Sequence, residues 1–274
     1  MAIVSLHSAA SGLSALNTEL DVIANNLANV NTQGFKGSRV NFQDLLYQEK
    51  AAPGTENAAG DKRPIGEYVG LGVKVSGTQL DFRQGSLLRT ENPLDLAIDD
   101  NGGEARSFFR VRVEPDRAPG GVAYTRAGNF TRNSDGDLVL ASDTGRRLDP
   151  PVTVPIDAIS VSVSTDGVVS YTTATSPDAQ VAGQISLSGF INPAGLKQLG
   201  ENLFVETGAS GPPVDGNPGE GGLGILRGGL LESSNVDPTR ELVKLISTQR
   251  AFEMNSNVIR AADETLRAVA QLRR

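Results

Sequence analysis

The sequence predicts an α+β protein with long N- and C-terminal helices paired as a coiled coil. Between them it predicts a discontinuous antiparallel β domain of sandwich or barrel type. Three observations support this fold class. Apolar residues follow a heptad spacing from Leu6 to Val30, a proline-free stretch runs from Thr239 to Arg274, and all 14 prolines lie between Pro53 and Pro238. Prolines and glycines disfavour helix interiors, so they mark the middle as the non-helical part.

The first helix is predicted from about Ile3 to Asn31, with Gly34 as a plausible terminator. Its apolar residues are spaced alternately three and four apart, as in one side of a coiled coil. They are Leu6, Ala9, Leu13, Leu16, Leu20, Ile23, Leu27 and Val30. Asn25, Asn26 and Asn29 crowd the same stretch, although Asn is a poor helix former. We expect their amides to form hydrogen bonds between helices that fix the register; a solvated polar face is the other explanation.

The middle of the chain shows the alternation of apolar and polar residues that is typical of half-buried strands. The apolar residues in these runs are Phe109, Val111, Val113, Ile159, Val161, Val163, Ile185 and Leu187. Asp135-Gly136 and Asp166-Gly167 predict tight hairpin turns. Residues 51–63 and 209–224 are predicted to be loops without regular structure.

The last helix is predicted to begin at Asp237-Pro238, because Asp is a favourable N-cap and Pro suits the first helical position. Its apolar residues form a less regular stripe, which Gln249, Asn255 and Ser256 interrupt. They are Leu242, Leu245, Ile246, Phe252, Ile259, Ala262, Leu266 and Val269.

Composition excludes several classes of function. The net charge of −7 disfavours a nucleic-acid-binding surface. The absence of cysteine excludes disulfides and thiolate metal sites. No run of 18 apolar residues occurs, so no membrane insertion is predicted. Because the first lysine is Lys36, the N-terminus lacks the basic region of a cleavable signal peptide.

Residues with catalytic chemistry are sparse. His7 has no acidic or nucleophilic neighbour in its predicted helix. Asn133–Asp137 resembles part of a calcium loop but lacks the full spacing, so a hairpin turn is favoured. Residues 221–224 lack the Lys-Ser/Thr that follows a phosphate-binding loop. We therefore predict no catalytic, cofactor-binding or metal-binding residues and no enzymatic activity.

One segment carries a family signature. Ala24-Asn-Asn-Leu-Ala-Asn-Val-Asn-Thr-Gln-Gly-Phe-Lys36 resembles the signature of the flagellar basal-body rod and hook proteins. Further matching segments, at 42–48, 92–98, 123–130, 190–196, 229–236 and 248–256, extend the resemblance over the whole chain. One departure is the connection 99–107, which is longer and more charged than is usual in the family.

Within the family, residues 46–75 resemble the stretch that sets distal rod subunits apart from proximal rod and hook subunits. The resemblance implies that this segment stiffens the assembly. Its residues of interest are Tyr47, Gln48, Val69, Gly70, Leu71, Gly72 and Val73.

The resemblance implies a structural subunit of the distal rod. Such subunits self-assemble into a rigid hollow helical tube, the drive shaft that transmits motor torque to the hook. The implied partners are further copies of the chain, proximal rod and hook subunits, and the surrounding basal-body rings, with no nucleic acid. The implied location is the basal body, spanning the periplasm, after export without a cleaved signal peptide. A proximal rod or hook subunit, and a secreted binding or adhesion protein, are the alternatives.

We expect three layers in such a subunit: a helical core domain of residues 1–32 and 237–274, a connecting domain of residues 33–80 and 205–236, and an outer β domain of residues 81–204. The two helices are expected to be largely disordered before assembly, because their apolar stripes then lack a complete partner. The residues predicted to act in assembly are Leu6, Leu13, Leu16, Leu20, Ile23, Asn25, Asn26, Leu27, Asn29, Val30, Leu242, Leu245, Ile246, Phe252, Asn255, Ile259 and Leu266.

Overall fold

The computed structural model describes residues 2–54, 64–100, 106–174, 176 and 178–272. A long helix stands at each end of the chain, and antiparallel strands occupy the described residues between them. The α+β class predicted from the sequence is therefore confirmed.

The two helices are α1, Ala2–Ala28, and α2, Pro238–Leu272. Helix α1 ends three residues before the predicted Asn31. Helix α2 begins where it was predicted to begin, because the Asp237 carboxylate accepts hydrogen bonds from the backbone N–H groups of Thr239 and Arg240, at 3.0 and 3.3 Å. These bonds satisfy two of the donors that a helix N-terminus leaves free.

The strands of the described residues follow in chain order. They are β1 Ser38–Asp44, β2 Tyr47–Ala51, β3 Glu67–Gly70, β4 Val73–Leu80, β5 Leu87–Arg89, β6 Leu96–Asp99, β7 Ser107–Arg112, β8 Val122–Thr125, β9 Phe130–Arg132, β10 Leu138–Leu140, β11 Ala158–Val163, β12 Val168–Thr173, β13 Gln180–Gln184, β14 Leu187–Gly189, β15 Lys197–Gly200, β16 Leu203–Val205, β17 Val214–Gly216, β18 Ile225–Gly228 and β19 Leu230–Glu232.

The chain forms two compact units. The first, called the helical unit below, consists of Met1–Leu27, Ser38–Gln79 and Asp237–Arg274. The second, called the β unit, consists of Ala28–Gly37 and Leu80–Val236.

In the helical unit, two contacts relate α1 to α2. The Asn26 amide donates a hydrogen bond to the Glu241 carboxylate at 3.4 Å. A β-carbon added at Gly12 would lie 3.0 Å from Asn255 Nδ2. A late residue of α1 thus meets an early residue of α2, and an earlier residue of α1 meets a later one of α2. The helices therefore run antiparallel where they meet.

The β unit contains a six-stranded sheet in the order β15-β16-β8-β7-β14-β17 and a three-stranded sheet in the order β11-β12-β13. Strand β7 lies inside the six-stranded sheet and is buried on both faces. Phe109 packs in one apolar cluster with Phe130 and Leu138, and Phe108 packs in another with Phe82 and other aromatic rings. The ring pairs in both clusters meet edge to face, at centroid distances of 5.1 Å for Phe109–Phe130 and 5.7 Å for Phe82–Phe108.

Several local predictions in the β unit are confirmed. Phe109, Val111 and Val113 are buried, as their alternation predicted. Gly136 and Gly167 have φ angles of 89° and 84° and close the β9–β10 and β11–β12 hairpins. Only glycine adopts such angles without strain, which is why the Asp-Gly pairs were informative.

Two local predictions in the β unit are wrong. Ile159 was expected on a buried face, but it is 71% exposed, because β11 is an edge strand with a register shift beside this residue. Residues 209–224 were expected to lack regular structure, but they contain β17, which pairs with β14 and is too short to show a period. The predicted loop at 51–63 falls mostly on residues 55–63, which lie outside the described residues.

A network of buried charges lies inside the β unit. The Lys36 ammonium donates to the Glu232 carboxylate at 2.6 Å and to the Arg83 carbonyl at 2.9 Å. The Arg126 guanidinium donates to the other Glu232 oxygen at 2.8 Å and to Asp100 at 2.7 Å. The side chains of Lys36 and Arg126 are 0% exposed and that of Glu232 is 1% exposed. Two cations and two carboxylates thus neutralise one another away from water.

Burial and pairing act in opposite directions on the titration of this network. Burial lowers the pKa of Lys36 to about 8, although Glu232 counteracts part of the shift. Lys36 therefore remains charged at neutral pH. Burial also opposes the ionisation of Glu232, but the attraction of Arg126 and Lys36 outweighs it and holds the pKa of Glu232 below its usual value.

The same region of the β unit joins the residues that follow α1 in the chain to those that precede α2. The backbone N–H of Gly34 donates to the Glu232 carbonyl at 2.8 Å, and that of Gly37 donates to the Asn235 side chain at 2.8 Å. Gly34 has a φ of 68°, and a β-carbon there would lie 2.6 Å from the backbone nitrogen of Ala127. Glycine is therefore required at this position for both conformation and space.

Replacing Lys36 with methionine should destabilise the β unit strongly. The Lys36→Met variant keeps the length of the side chain but leaves Glu232 without its ammonium partner. Breaking a buried ion pair from one side costs roughly 3–5 kcal/mol. Urea unfolding of the free subunit, followed by the near-ultraviolet circular dichroism of its tyrosines, should show a loss of about 3 kcal/mol.

Lys197→Met is the matched control, because Lys197 lies exposed on β15 of the same unit. It should change the free energy of unfolding by less than about 0.5 kcal/mol. Equal losses in the two variants would contradict a special role for the buried network.

Candidate assembly surface

The predicted stripe of α1 is only partly covered within its own unit. Ala9 and Ile23 are buried at 5% and 3% exposure. The remaining six residues of the stripe are half-buried: Leu6, Leu13, Leu16, Leu20, Leu27 and Val30. The fully buried residues Gly12, Ala15 and Asn26 lie on one side of the stripe rather than in it. The leucines of α1 thus keep apolar surface that the subunit itself does not cover.

One stripe of residues on α2, called the buried stripe below, is also covered within the helical unit. This stripe mixes apolar and polar residues. Its members follow the alternating spacing of four and three residues, so they lie on one side of the helix. They are Glu241, Leu245, Thr248, Phe252, Asn255, Ile259 and Ala262, all buried or half-buried. The sequence analysis missed Glu241 and Thr248 because, apart from asparagines, it considered only apolar residues. The spacing they share with Leu245 and Phe252 was the available signal.

One polar member of this stripe, Glu241, has hydrogen-bond partners in the helical unit. The Asn26 side chain accepts a hydrogen bond from the Ser38 backbone N–H at 2.9 Å and donates to the Ser38 carbonyl at 2.8 Å and to Glu241. Lys244 donates to the other Glu241 oxygen at 2.7 Å. Asn26 therefore links α1, the start of β1 and α2, whereas Asn25 is exposed.

Exposed apolar residues of α2, called the exposed stripe below, lie on the side that faces away from the buried stripe, with Ser247 and Arg250 between them. Val243, Met254 and Ala261 each follow a residue of the buried stripe by two positions, which is about 200° around the helix. Val243 and Met254 are both 63% exposed, and the neighbouring Val258 is 47% exposed. Exposed apolar residues that share one side of a helix are typical of an interaction surface.

Further apolar side chains are exposed on the hairpin of β2 and β3 and beside it. Leu46 and Tyr47 are 82% and 59% exposed, and Ile65 and Tyr68 are 76% and 52% exposed. The two strands pair antiparallel, with Tyr47 opposite Gly70 and Gln48 opposite Val69. The hairpin therefore presents aromatic and aliphatic surface within residues 46–75, the segment predicted to stiffen the assembly.

The end of this hairpin is held against α1. The Ser8 hydroxyl donates to the Gly70 carbonyl at 3.3 Å, and His7 Nδ1 donates to the Leu71 carbonyl at 3.0 Å. The Val73 backbone N–H donates to Ser11 Oγ at 3.3 Å. Three successive contacts thus fasten residues 70–73, called the clamp segment below, to one side of α1.

Gly72 is what allows this close approach. Its φ is 115°, and a β-carbon there would lie 2.1 Å from Ser11 Oγ and 3.1 Å from the Ser8 α-carbon. Only glycine combines an unstrained backbone at this φ with the absence of a β-carbon that would collide with α1. The sequence analysis gave no role to His7, Ser8 or Ser11, because their backbone partners lie more than 60 residues away.

The other residues predicted to act in assembly are distributed as follows. Leu245, Phe252, Asn255 and Ile259 belong to the covered stripe of α2, whereas Leu242, Ile246 and Leu266 are exposed by 46%, 49% and 41%. Asn29 and Val30 follow α1, belong to the β unit and are half-buried. In the hairpin, Tyr47 and Gln48 are exposed and Val69, Gly70, Leu71, Gly72 and Val73 are half-buried.

The described residues contain no group of three His, Cys, Asp or Glu side chains that could hold a metal ion. Within the same part of the chain, neither helix is long and apolar enough to cross a membrane.

Three protein-family profiles match the sequence. The profile described as "Flagella basal body rod protein" matches residues 6–36. "Flagellar hook protein FlgE/F/G D1 domain" matches residues 104–171, and "Flagellar basal body rod FlgEFG protein C-terminal" matches residues 227–272. The first and last matches contain most of α1 and α2.

Complete relatives are similar along almost the whole chain. The flagellar basal-body rod protein FlgG of Caulobacter vibrioides is 43% identical over 98% of both chains, and that of Borreliella burgdorferi is 42% identical over 98% of both. The rod protein FlgF of Caulobacter vibrioides is 33% identical over 93% of this chain and 92% of its own. Identity of this extent along both full lengths shows that the chain belongs to the family of flagellar basal-body rod proteins.

Proposed function

We propose that this rod subunit forms the distal rod, a straight hollow helical tube that transmits motor torque to the hook. One observation carries the proposal: α2 has apolar residues on two opposite sides, in a buried stripe and an exposed stripe, and the subunit covers only the first. Neighbouring copies that contact the exposed stripe would enclose the helix on both sides. Head-to-tail contacts that do not close into a ring generate a helical polymer.

We propose that α1 and α2 form an antiparallel coiled coil in the assembled tube. The alternating spacing of three and four residues in both helices supports this, as do the Asn26–Glu241 and Gly12–Asn255 contacts. The half-buried leucines of α1 would complete their burial against neighbouring helices. Asn26 and Glu241 would then contribute to the register, because a shift between the helices would break the hydrogen bond between these two buried side chains.

The proposed layers of the tube follow the division expected from the sequence. Residues 1–32 and 237–274 would line the inside of the tube, residues 81–204 would form the outside, and residues 33–80 and 205–236 would connect these two layers.

The β unit carries the whole net charge of −7, whereas the helical unit is neutral. A neutral core suits close packing of helices, and an acidic exterior would keep neighbouring proteins with acidic surfaces apart and favour basic ones. Proximal rod and hook subunits are the proposed partners at the ends of the tube, which would span the periplasm.

A charge placed in the exposed stripe of α2 should prevent polymerisation without unfolding the subunit. Met254 is 63% exposed, so Met254→Glu costs the free subunit little. In a tube, the new carboxylate would be buried against apolar groups of a neighbour, at a cost of several kcal/mol. Sedimentation and electron microscopy should find this variant in the supernatant, with far-ultraviolet circular dichroism like that of the natural protein.

Gln249→Glu adds the same charge to the same helix but on its polar side, where Gln249 is exposed. It should form tubes at the same protein concentration as the natural chain. Tubes of normal appearance from Met254→Glu would refute the proposed role of the exposed stripe.

The clamp segment should contribute to the stiffness of the tube. Gly72→Ala introduces a β-carbon at a φ of 115° and into contact with Ser11, which disfavours the clamped arrangement by roughly 2 kcal/mol or more. Tubes of this variant should have a shorter persistence length in electron micrographs. Ser11→Ala, which removes one clamp hydrogen bond, should have the same effect in weaker form.

Gly77→Ala is the control for Gly72→Ala, because a β-carbon at Gly77 in β4 meets nothing within 4 Å. Its tubes should be as straight as those of the natural protein. If Gly72→Ala tubes are equally straight, the clamp segment does not set the stiffness.

A further inference from the structure

The three-stranded sheet of the β unit has two outer edges with which no strand of the described residues pairs. Its outer strands are β11, with the sequence AISVSV, and β13, with the sequence QVAGQ. Neither strand contains a charged residue or a proline. Proteins usually protect sheet edges with charges, prolines or covering segments, since a free edge can pair with another chain. The register shifts in β11 and β13 protect only part of each edge.

A groove runs along the free edge of β11. Two adjoining cavities, of about 490 and 310 Å³, share Asn92, Pro93 and Val161 and together follow β11 from Ala158 to Val163. The backbone of β11 forms one wall of this groove, and residues 90–93 with Gly228 and Gly229 line the second cavity opposite it. The groove therefore offers space and a strand edge to an extended segment.

Each of these edges carries one exposed apolar side chain among exposed but uncharged serines or glutamines. Ile159 of β11 is 71% exposed and Val181 of β13 is 67% exposed. In an acidic β unit, uncharged edges are also where two copies can approach with the least electrostatic repulsion. Because the two edges belong to one sheet and differ from each other, pairing them gives a head-to-tail contact that repeats without closing.

We propose that β11 of one copy pairs with β13 of the next, so that the three-stranded sheet continues from subunit to subunit. This inference rests on the proposed polymerisation and adds a contact between β units to those of the helices. The backbone hydrogen bonds of the paired edges hold the two strands together, as in other cases of strand addition.

Engineered disulfides test the pairing directly, because the natural chain has no cysteine. One variant carries Ser162→Cys with Val181→Cys, and a second carries Ser162→Cys with Gln184→Cys. The two β13 positions lie towards opposite ends of the strand, so that the pair of variants tests both parallel and antiparallel pairing of β11 with β13. Within one copy, β12 separates the two strands, so their α-carbons lie two strand spacings, about 9.6 Å, apart and cannot form a disulfide. Every disulfide between the two positions therefore joins two copies.

Oxidation of polymerised protein should convert one of the two variants into a ladder of covalent oligomers on a denaturing gel. A chain with Ser162→Cys and Gln198→Cys, where Gln198 lies exposed on β15, should give no ladder. Polymers without a ladder in either test variant would overturn the pairing. Dimers formed by Ser162→Cys alone would overturn it as well, since they would show two β11 edges in contact.

A charged edge gives an independent measurement. Ser162→Lys should raise the critical concentration for polymerisation by about tenfold, because a lysine protects a strand edge. Gln198→Lys, on an edge that already carries Lys197, should leave that concentration unchanged. Equal values for the two lysine variants would contradict the proposal. If the natural chain itself forms no polymers under the electron microscope, the proposed function fails first, so the two failures are distinguishable.

Discussion

The ion network of Lys36, Glu232 and Arg126 is the interaction on which the β unit depends. These residues are far apart in the sequence, and each would be costly to bury alone. Glu232 is satisfied only when Lys36, Arg126 and the Gly85 backbone N–H all donate to it. A network that lacks one of these partners would leave a buried charge unpaired, which is strongly unfavourable. The segments that carry the partners are therefore expected to fold together. Since Lys36 and Glu232 lie close in sequence to α1 and α2, the same network holds the start and the end of the β unit in one place.

The helical unit follows a different principle. Its buried stripe on α2 alternates apolar and polar residues, and its exposed stripe contains Val243 and Met254. A free subunit gains little from such helices, because part of their apolar surface stays in water. In the proposed tube, neighbouring copies would supply the missing contacts, which would link the stability of the helices to assembly by mass action. A firmly folded β unit with conditionally stable helices is consistent with the proposed polymerisation.

The sequence predicted the features that depend on neighbouring residues. The helix α1, the Asp237 N-cap and the Gly136 and Gly167 turns each depend on residues within a few positions. Contacts between distant segments could not be predicted in this way. Nothing near Lys36 indicates that Glu232 will be its partner, and nothing near Gly72 indicates the approach of Ser11. Ile159 is a further example. The alternation of apolar and polar residues around it correctly predicts a strand, but the burial of its side chain depends on distant segments that pack against that strand.

Amide hydrogen exchange on the free subunit and on the assembled tube tests this account most directly. The account predicts that β7 and β8, at the centre of the six-stranded sheet, exchange slowly in both states. The amides of α1 and α2 should exchange rapidly in the free subunit and slowly in the tube. Strong protection of residues 2–28 in the free subunit, equal to that of β7 and unchanged by assembly, would contradict it.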